Sequence, residues 1–565
     1  MTDRLPLNGL SHVRGTRTSP LSEETIPQAL KRTVEAHGGQ EAAVFAAEGI
    51  RWSYADFSAE VDRLASGLLT LGVARGERVG IWAPNRSEWL MTQFATARIG
   101  AILVCVNPAY RPYELAYALQ KVGCSTLITA VAFKGSDYLD MLNTVVPELA
   151  RSTPGALTSA ALPDLKRVIA MTDAPPPGVL SFRAVQAMGD GADSVTLDAL
   201  TNALSNTDPI NIQFTSGTTG SPKGACLTHR NIVNNAAHVT ATMHFTHHDR
   251  LCIPVPFYHC FGMVMGTLGC VTKGATMVIP SEGFDPEATL RAVSDERCTA
   301  LFGVPTMFVA ERALPNFDAF DLSSLRTGIM AGAPCPIEVM KQVQANMNMA
   351  GVTIAYGMTE TAPVSFQSDV DDPLKKRVST VGRVHPHVEC KIVGADDETL
   401  PIGQQGELWT RGYSIMQGYW NDPDKTAATI TQDGWMKTGD LAVMDAEGYC
   451  DITGRLKDMI LRGGENIYPK EIEDFLFTHP HVAVAQVFGI PDAKYGEVVC
   501  AWIIPTAQGD VTPEAIQQFC RQNIAHFKTP AHVRITTDMP MTVTGKPQKF
   551  LMREQMMAEL GLLDA

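Results

Sequence analysis

The chain has 565 residues, 45% of them hydrophobic and 19% charged, with a formal net charge of -14. That length sets an expectation of several domains, and the composition is that of a globular protein able to fill a large core. The acidic balance excludes nonspecific nucleic-acid binding, yet it leaves room for an anionic substrate at a locally basic site.

Phe57, Val61, Leu64, Leu68 and Leu71 recur at four- and three-residue steps, the spacing of one apolar helix face, with Gly72 as the stop. A short apolar strand follows at Val79–Trp82, then a helix near Glu88–Ile99 and a strand at Ala101–Val106. The same pattern recurs at Thr126–Ala130 and Leu165–Met171, and such alternation points to a parallel sheet covered by helices. Residues 151–207, rich in Pro, Ser, Thr and Gly, read as surface connection, with a domain boundary as the alternative. A further strand is expected at Ile210–Phe214 and a helix at His229–Ala237. Near the C-terminus, strands at Val482–Ile490, Val498–Ile504 and Val533–Thr536 and a helix at Pro513–His526 form a small α+β unit. The charged run Gly454–Asp458 precedes it, so the division is placed at 1–456 and 457–565.

Twelve cysteines stand without a Cys-x-x-Cys pair, which excludes the usual zinc and redox spacings and points to buried reduced thiols. No run approaches the roughly 20 apolar residues of a membrane span. The first twenty residues lack a secretory apolar core. Arg4, Arg14 and Arg17 point toward a transit peptide, while Asp3 and the lack of an amphipathic helix point away from one. The final residues are not a peroxisomal address. A cytoplasmic protein is expected.

The strongest chemical signal is the run Thr215, Ser216, Gly217, Thr218, Thr219, Gly220, Ser221, Pro222 and Lys223, closed by Gly224. Small hydroxyl residues and glycines let backbone N–H groups close around a polyphosphate, and Lys223 adds positive charge. It is not a Walker A loop, in which the lysine is followed directly by Ser or Thr.

This run resembles the phosphate-loop signature of the adenylate-forming family, which includes acyl-CoA synthetases, coumarate-CoA ligases, firefly luciferase and peptide-synthetase adenylation domains. Further segments resemble the family's later motifs in order: Pro256–Gly262, Gly332–Pro334, Tyr356–Thr361, Gly406–Trp409, Gly418–Trp420, Gly434–Asp440, Gly454–Asp458, Gly463–Asn466 and Thr544–Lys546. The likeness runs from about Ser22 to about Glu559. It implies an α/β fold: a large N-terminal domain of parallel and mixed sheets with helices plus a distorted barrel, then a small mobile α+β C-terminal domain.

The resemblance also implies roles. Lys546 is the catalytic lysine, bridging a carboxylate and the α-phosphate of ATP, since both reactants are anionic and must be neutralised and positioned. Glu360 is a Mg²⁺ ligand, suited by its oxygen donors, and Thr359 donates to the α-phosphate. Asp440 and Arg455 reach the ribose, and Tyr356, with Gly357, Met358 and the Gly332, Ala333 and Pro334 backbone, encloses adenine. His259 gates an acyl pocket of Val304, Met330, Gly332 and Met358, and Lys457 sits at a hinge. Rotation about that hinge lets the Gly463–Gly464 face admit coenzyme A. Pro547 stands where many relatives carry an apolar residue, and Asn466 where acetyl-CoA synthetases carry Arg.

The expected activity is an ATP-dependent acyl-CoA synthetase acting on a linear or modestly branched aliphatic acid, with wording closest to medium-chain synthetases. Methylthiopropionate, a carrier protein loaded in trans, a luciferase-like oxygenase and a non-catalytic nucleotide binder are the alternatives, and a homodimer is left open.

Overall fold

The computed structural model describes residues 4–191, 194–215, 222–333, 335–462, 465–506, 509, 511–542 and 545–562. The helix expected over Phe57–Leu71 spans Tyr54–Thr70. It starts earlier because Ser53 caps it: the Ser53 hydroxyl accepts from the Asp56 amide, and the Asp56 carboxylate accepts from the Ser53 amide. Its buried face carries Phe57, Val61, Leu64 and Leu68 against the helix Ser87–Ile99. Gly100, at φ +72°, ends that second helix in a left-handed conformation that suits glycine.

These helices cover an eight-stranded sheet in which Arg78–Trp82, Ile102–Cys105, Thr126–Thr129 and Arg167–Ala170 run parallel, each within two residues of its expected bounds. Leu180–Ser181 extends the sheet from inside residues 151–207, and the helix Phe182–Ala187 packs on Tyr54–Thr70. That stretch therefore continues the same sheet and does not merely run over its surface. A nine-stranded sheet includes the parallel strands Ala300–Gly303, Thr327–Ala331 and Gly351–Gly357. One hydrophobic cluster draws on both large sheets, from Ile26 to Tyr419. A curled five-stranded antiparallel sheet containing Met436–Met444 and Cys450–Arg455 has its own core, including Phe366 and Leu408.

Beyond Ile460, strands Val482–Asp492 and Gly496–Pro505 pair in antiparallel, and His532–Ile535 runs parallel to the second. The two clusters on their faces contain only residues from Ile460 onward. All twelve cysteines are free, and every one but Cys335 is buried. Among the described residues no helix is long and apolar enough to cross a membrane.

One buried group opposes this packing. Glu311, at the end of the helix Pro305–Arg312, is 1% exposed, and neither carboxyl oxygen has a hydrogen-bond partner among the described residues. Burial raises its pKa well above 4.5, so the folded chain holds a proton that the unfolded chain releases. Stability therefore falls as pH rises above about 4.5, by about 1.4 kcal/mol per pH unit until the folded-state pKa is passed. Glu311→Met should remove that slope. Denaturant unfolding should show its advantage over the parent growing between pH 5 and pH 8, and parallel stability curves would refute the assignment.

Candidate active site

Three strands, each paired in parallel with a neighbour, lead into segments that carry candidate site residues. Pro209–Thr215 leads into residues 216–221, Thr327–Ala331 into Gly332 and Ala333, and Gly351–Gly357 into Met358. Ligands of open α/β sheets bind beyond the carboxyl ends of strands. Ser216, Gly217, Thr218, Thr219, Gly220, Ser221, Pro334, Gly463 and Gly464 lie outside the described residues. Lys223 opens the returning strand Lys223–Thr228, paired antiparallel with Pro209–Thr215, and the Pro222 carbonyl accepts from the Tyr117 hydroxyl at 3.2 Å.

Tyr356, Asp440 and Arg455 form one unit. The Tyr356 hydroxyl donates to Asp440 Oδ2 at 2.6 Å, and Arg455 Nε lies 3.0 Å from Oδ1. Asp440 and Arg455 are direct partners in the strand register, which accounts for the pairing across fifteen residues of sequence. Burial and the neighbouring Asp440 carboxylate raise the Tyr356 phenol well above its ordinary pKa, so it stays a donor.

Thr359 and Glu360 lie in a tight turn, Thr359–Thr361, and both are buried. The Tyr419 hydroxyl donates to Glu360 Oε1 at 2.9 Å, and the Met416 amide donates to the Glu360 carbonyl. Asn235, fully buried on the helix His229–Thr242, fixes the strand that leaves this turn. Its Nδ2 donates to the Val364 carbonyl at 2.8 Å, and its Oδ1 accepts from the Val364 amide at 3.1 Å. Sequence reading passed over Asn235 and gave no role to Tyr419. Tyr419 did fall inside a quoted motif, but nothing in sequence spacing links Asn235 to a strand 129 residues away.

Lys546 comes from the C-terminal unit. The Thr542 amide donates to the Lys546 carbonyl, and the Lys546 amide donates to the Thr542 hydroxyl, which makes a tight turn. A Cβ on Gly545, at φ +75°, would lie 2.9 Å from Val304 Cγ2; one on Gly332, at φ +86°, would lie 3.2 Å from Val304 Cγ1 and 3.8 Å from Lys546 Cε. Glycine at these two positions thus lets the lysine turn seat on the larger body. Burial and Arg455 lower the Lys546 pKa, and Asp440, Glu360 and Cys260 oppose that shift. Burial, with Lys546 nearby, pushes His259 down to about 3. Its Nδ1 accepts from the Phe261 amide at 3.3 Å, which assigns the proton of the neutral ring to Nε2. Pro547 costs the turn nothing visible, since the hydrogen bonds run through Thr542, Gly545 and Lys546.

His259 leads into a wide π-type helix, Phe261–Leu268, which the sequence reading did not anticipate; such turns often mark functional sites. Val304 faces the same cluster as Cys260, Phe261 and Ala331. Met358 is half-buried beside Tyr356. Met330 faces away from Val304. It lies in the separate cluster with Phe308 and Met340, because neighbours on a strand point to opposite faces and Ala331 takes the inner one. Lys457 is exposed in the short turn Leu456–Asp458, and Asn466 is exposed on the strand Glu465–Ile467.

A family described as AMP-binding enzyme matches residues 30–420, and one described as AMP-binding enzyme C-terminal domain matches residues 471–546. The chain belongs to the AMP-binding enzyme family. It is 48% identical to the putative acyl-CoA synthetase YngI of Bacillus subtilis, over 95% of this chain and 97% of that one. It is 45% identical to the mitochondrial medium-chain acyl-CoA ligase ACSF2 of Danio rerio, over 99% of this chain and 92% of that one. Among solved structures, ATP-bound MatB from Rhodopseudomonas palustris matches with a TM-score of 0.81 and 28% identity, over 94% of this chain and 99% of that one. The anthranilate CoA ligase AuaEII in complex with anthranoyl-AMP matches with a TM-score of 0.83 and 25% identity, over 96% and 99%.

Removing the Asn235 amide tests whether the Glu360 turn depends on it. Asn235→Leu leaves the buried Val364 N–H and C=O without these partners, a loss of about 1–3 kcal/mol by denaturant unfolding. Calorimetry should also show weaker ATP binding. Parent-like ATP binding in the destabilised variant would detach Asn235 from the site.

Proposed function

We propose that this chain is an ATP-dependent, AMP-forming acyl-CoA synthetase for medium-length aliphatic carboxylic acids. The observation that carries the reading is the seating of Lys546 against Gly332, within electrostatic reach of Arg455, Asp440 and Glu360. An acyl-adenylate forms when a carboxylate oxygen attacks the α-phosphorus of ATP and pyrophosphate leaves. The thiol of coenzyme A then attacks the acyl carbon, forming the thioester and releasing AMP.

In the first step Lys546 neutralises the carboxylate and the α-phosphate, and Thr359 donates to the latter. Lys223 and the 215–223 segment hold the outer phosphates. Tyr356 and the backbone of Gly332 and Ala333 flank adenine, and Asp440 with Arg455 takes the ribose. Glu360 fits a magnesium site: it offers a hard carboxylate, one oxygen accepts from Tyr419, and among the described residues no hydrogen bond is made to Oε2, which would hold the cation. Mg²⁺, when bound there, supplies charge neutralisation to the triphosphate.

His259, Val304, Gly332 and Met358 border the acyl pocket. A neutral His259 offers no cation to a second carboxylate, which favours monocarboxylic acids. The medium-chain name of the ACSF2 relatives supports the chain length. For the second step we propose that residues 457–565 turn about Lys457 to present Gly463 and Gly464 to coenzyme A. The separate C-terminal cores and the two family matches, which stop at 420 and resume at 471, support a hinge between them.

An acid panel assayed for AMP release and thioester, with and without coenzyme A, tests the reading. Medium-length straight-chain acids should outperform acetate, long-chain and aryl acids, and sustained AMP release should require coenzyme A. AMP release without any thioester would overturn it. The lowered Lys546 pKa makes a second prediction, because the lysine must carry its proton in the first step. ATP–pyrophosphate exchange should decline as pH rises through a value below the ordinary lysine pKa of about 10.4. Lys546→Arg should move that decline upward, and a profile identical in both proteins would contradict the role.

A further inference from the structure

Tyr419 stands between two opposite charges that the reaction needs apart. Its hydroxyl donates to Glu360 Oε1 at 2.9 Å, while Lys223 Nζ sits 4.8 Å from its ring centroid. A lysine and a carboxylate that flank one side chain would otherwise be free to pair directly. Among the described residues the contacts of these two charges run to Tyr419 and not to each other.

The placement is built into the sheet edge. Gly418–Tyr419 pairs antiparallel with the strand that Lys223 begins, with Ala225 opposite Tyr419 and Cys226 opposite Gly418. The Gln417 amide donates to the Cys226 carbonyl and the Trp420 amide to the Gly224 carbonyl, so the segment is stitched to the lysine strand on both sides of Tyr419. On its other side the Met416 amide holds the Glu360 carbonyl. Gly418 has φ +148°, and a Cβ there would meet Thr426 Cγ2 at 2.8 Å, so a side chain at 418 would press on the helix Pro423–Thr429 that packs beside this strand. Tyr419 itself is 7% exposed.

We propose that Tyr419 is a positioning residue that keeps Lys223 and Glu360 from neutralising each other. The ring holds the ammonium on one face for the phosphates, and the hydroxyl occupies Oε1 so that Oε2 is presented to a divalent cation. The inference rests on the proposed function, because it assigns these two charges to one bound nucleotide. Removing the hydroxyl alone should therefore loosen the cation site and leave the lysine in place. Removing the ring should do both, because Lys223 can then close on Glu360.

Calorimetry of ATP binding to the full chain, with no acid present and with or without Mg²⁺, separates the two effects. Tyr419→Phe should leave metal-free ATP affinity unchanged and raise the Mg²⁺ concentration for half-saturation on the order of tenfold, the size of a lost hydrogen bond to a charged group. Tyr419→Leu should weaken metal-free ATP binding as well. Added to Glu360→Gln, Tyr419→Phe should change the Mg²⁺ dependence no further, since it acts through Glu360. Equal Mg²⁺ dependence in the parent and Tyr419→Phe, or parallel losses in both variants that track only their melting temperatures, would overturn the inference. A parent that binds no ATP under any of these conditions would overturn the functional reading itself.

Discussion

Bringing a carboxylate to the α-phosphorus of ATP sets two anions against each other, and this chain carries a net charge of -14 before either arrives. The local answer is to gather cations from distant parts of the sequence: Lys223 at the start of a strand, Arg455 at the end of another, and Lys546 in the C-terminal unit. Each is held by a different device. Lys223 lies over the Tyr419 ring, Arg455 is paired with Asp440, and Lys546 is carried on a turn that glycines at 332 and 545 allow to seat. Burying Lys546 beside Arg455 has a cost, visible in its lowered pKa, and Asp440 and Glu360 partly offset it.

The sheets supply the rigidity this needs. Strands ending at Thr215, Ala331 and Gly357 present their last residues along carboxyl ends, and the curled sheet brings Asp440 to Tyr356. Asn235 then clamps the strand leaving Glu360 through two backbone bonds. The lysine arrives from a C-terminal unit whose two clusters contain only residues from Ile460 onward. An element that must be present for one half-reaction and out of the way for another is best carried on a body that packs by itself.

Periodicity makes the helix Tyr54–Thr70, the parallel strands of the eight-stranded sheet and the C-terminal strands legible, with ends shifted by caps such as Ser53, whereas the strands between residues 250 and 455 carry no such reading. The site was legible where residue types sit in contiguous motifs, as at Tyr356–Thr361 or Asp440. It was opaque where a role depends on a partner far away in sequence. Asn235, the seating of Gly545 on Val304 and the Tyr419 contact to Glu360 all belong to that class. Which of Met330 and Ala331 faces Val304 is equally hidden in the sequence, because a strand's alternation is readable only once its register is known.

The central claim is that Lys546 serves the first half-reaction and not the second. The most direct test is to measure both in Lys546→Ala: ATP–pyrophosphate exchange with a medium-length acid, and thioester formation from supplied acyl-adenylate and coenzyme A. Exchange should fall close to zero while thioester formation from the adenylate persists. Equal loss of both, or exchange that survives, would contradict it.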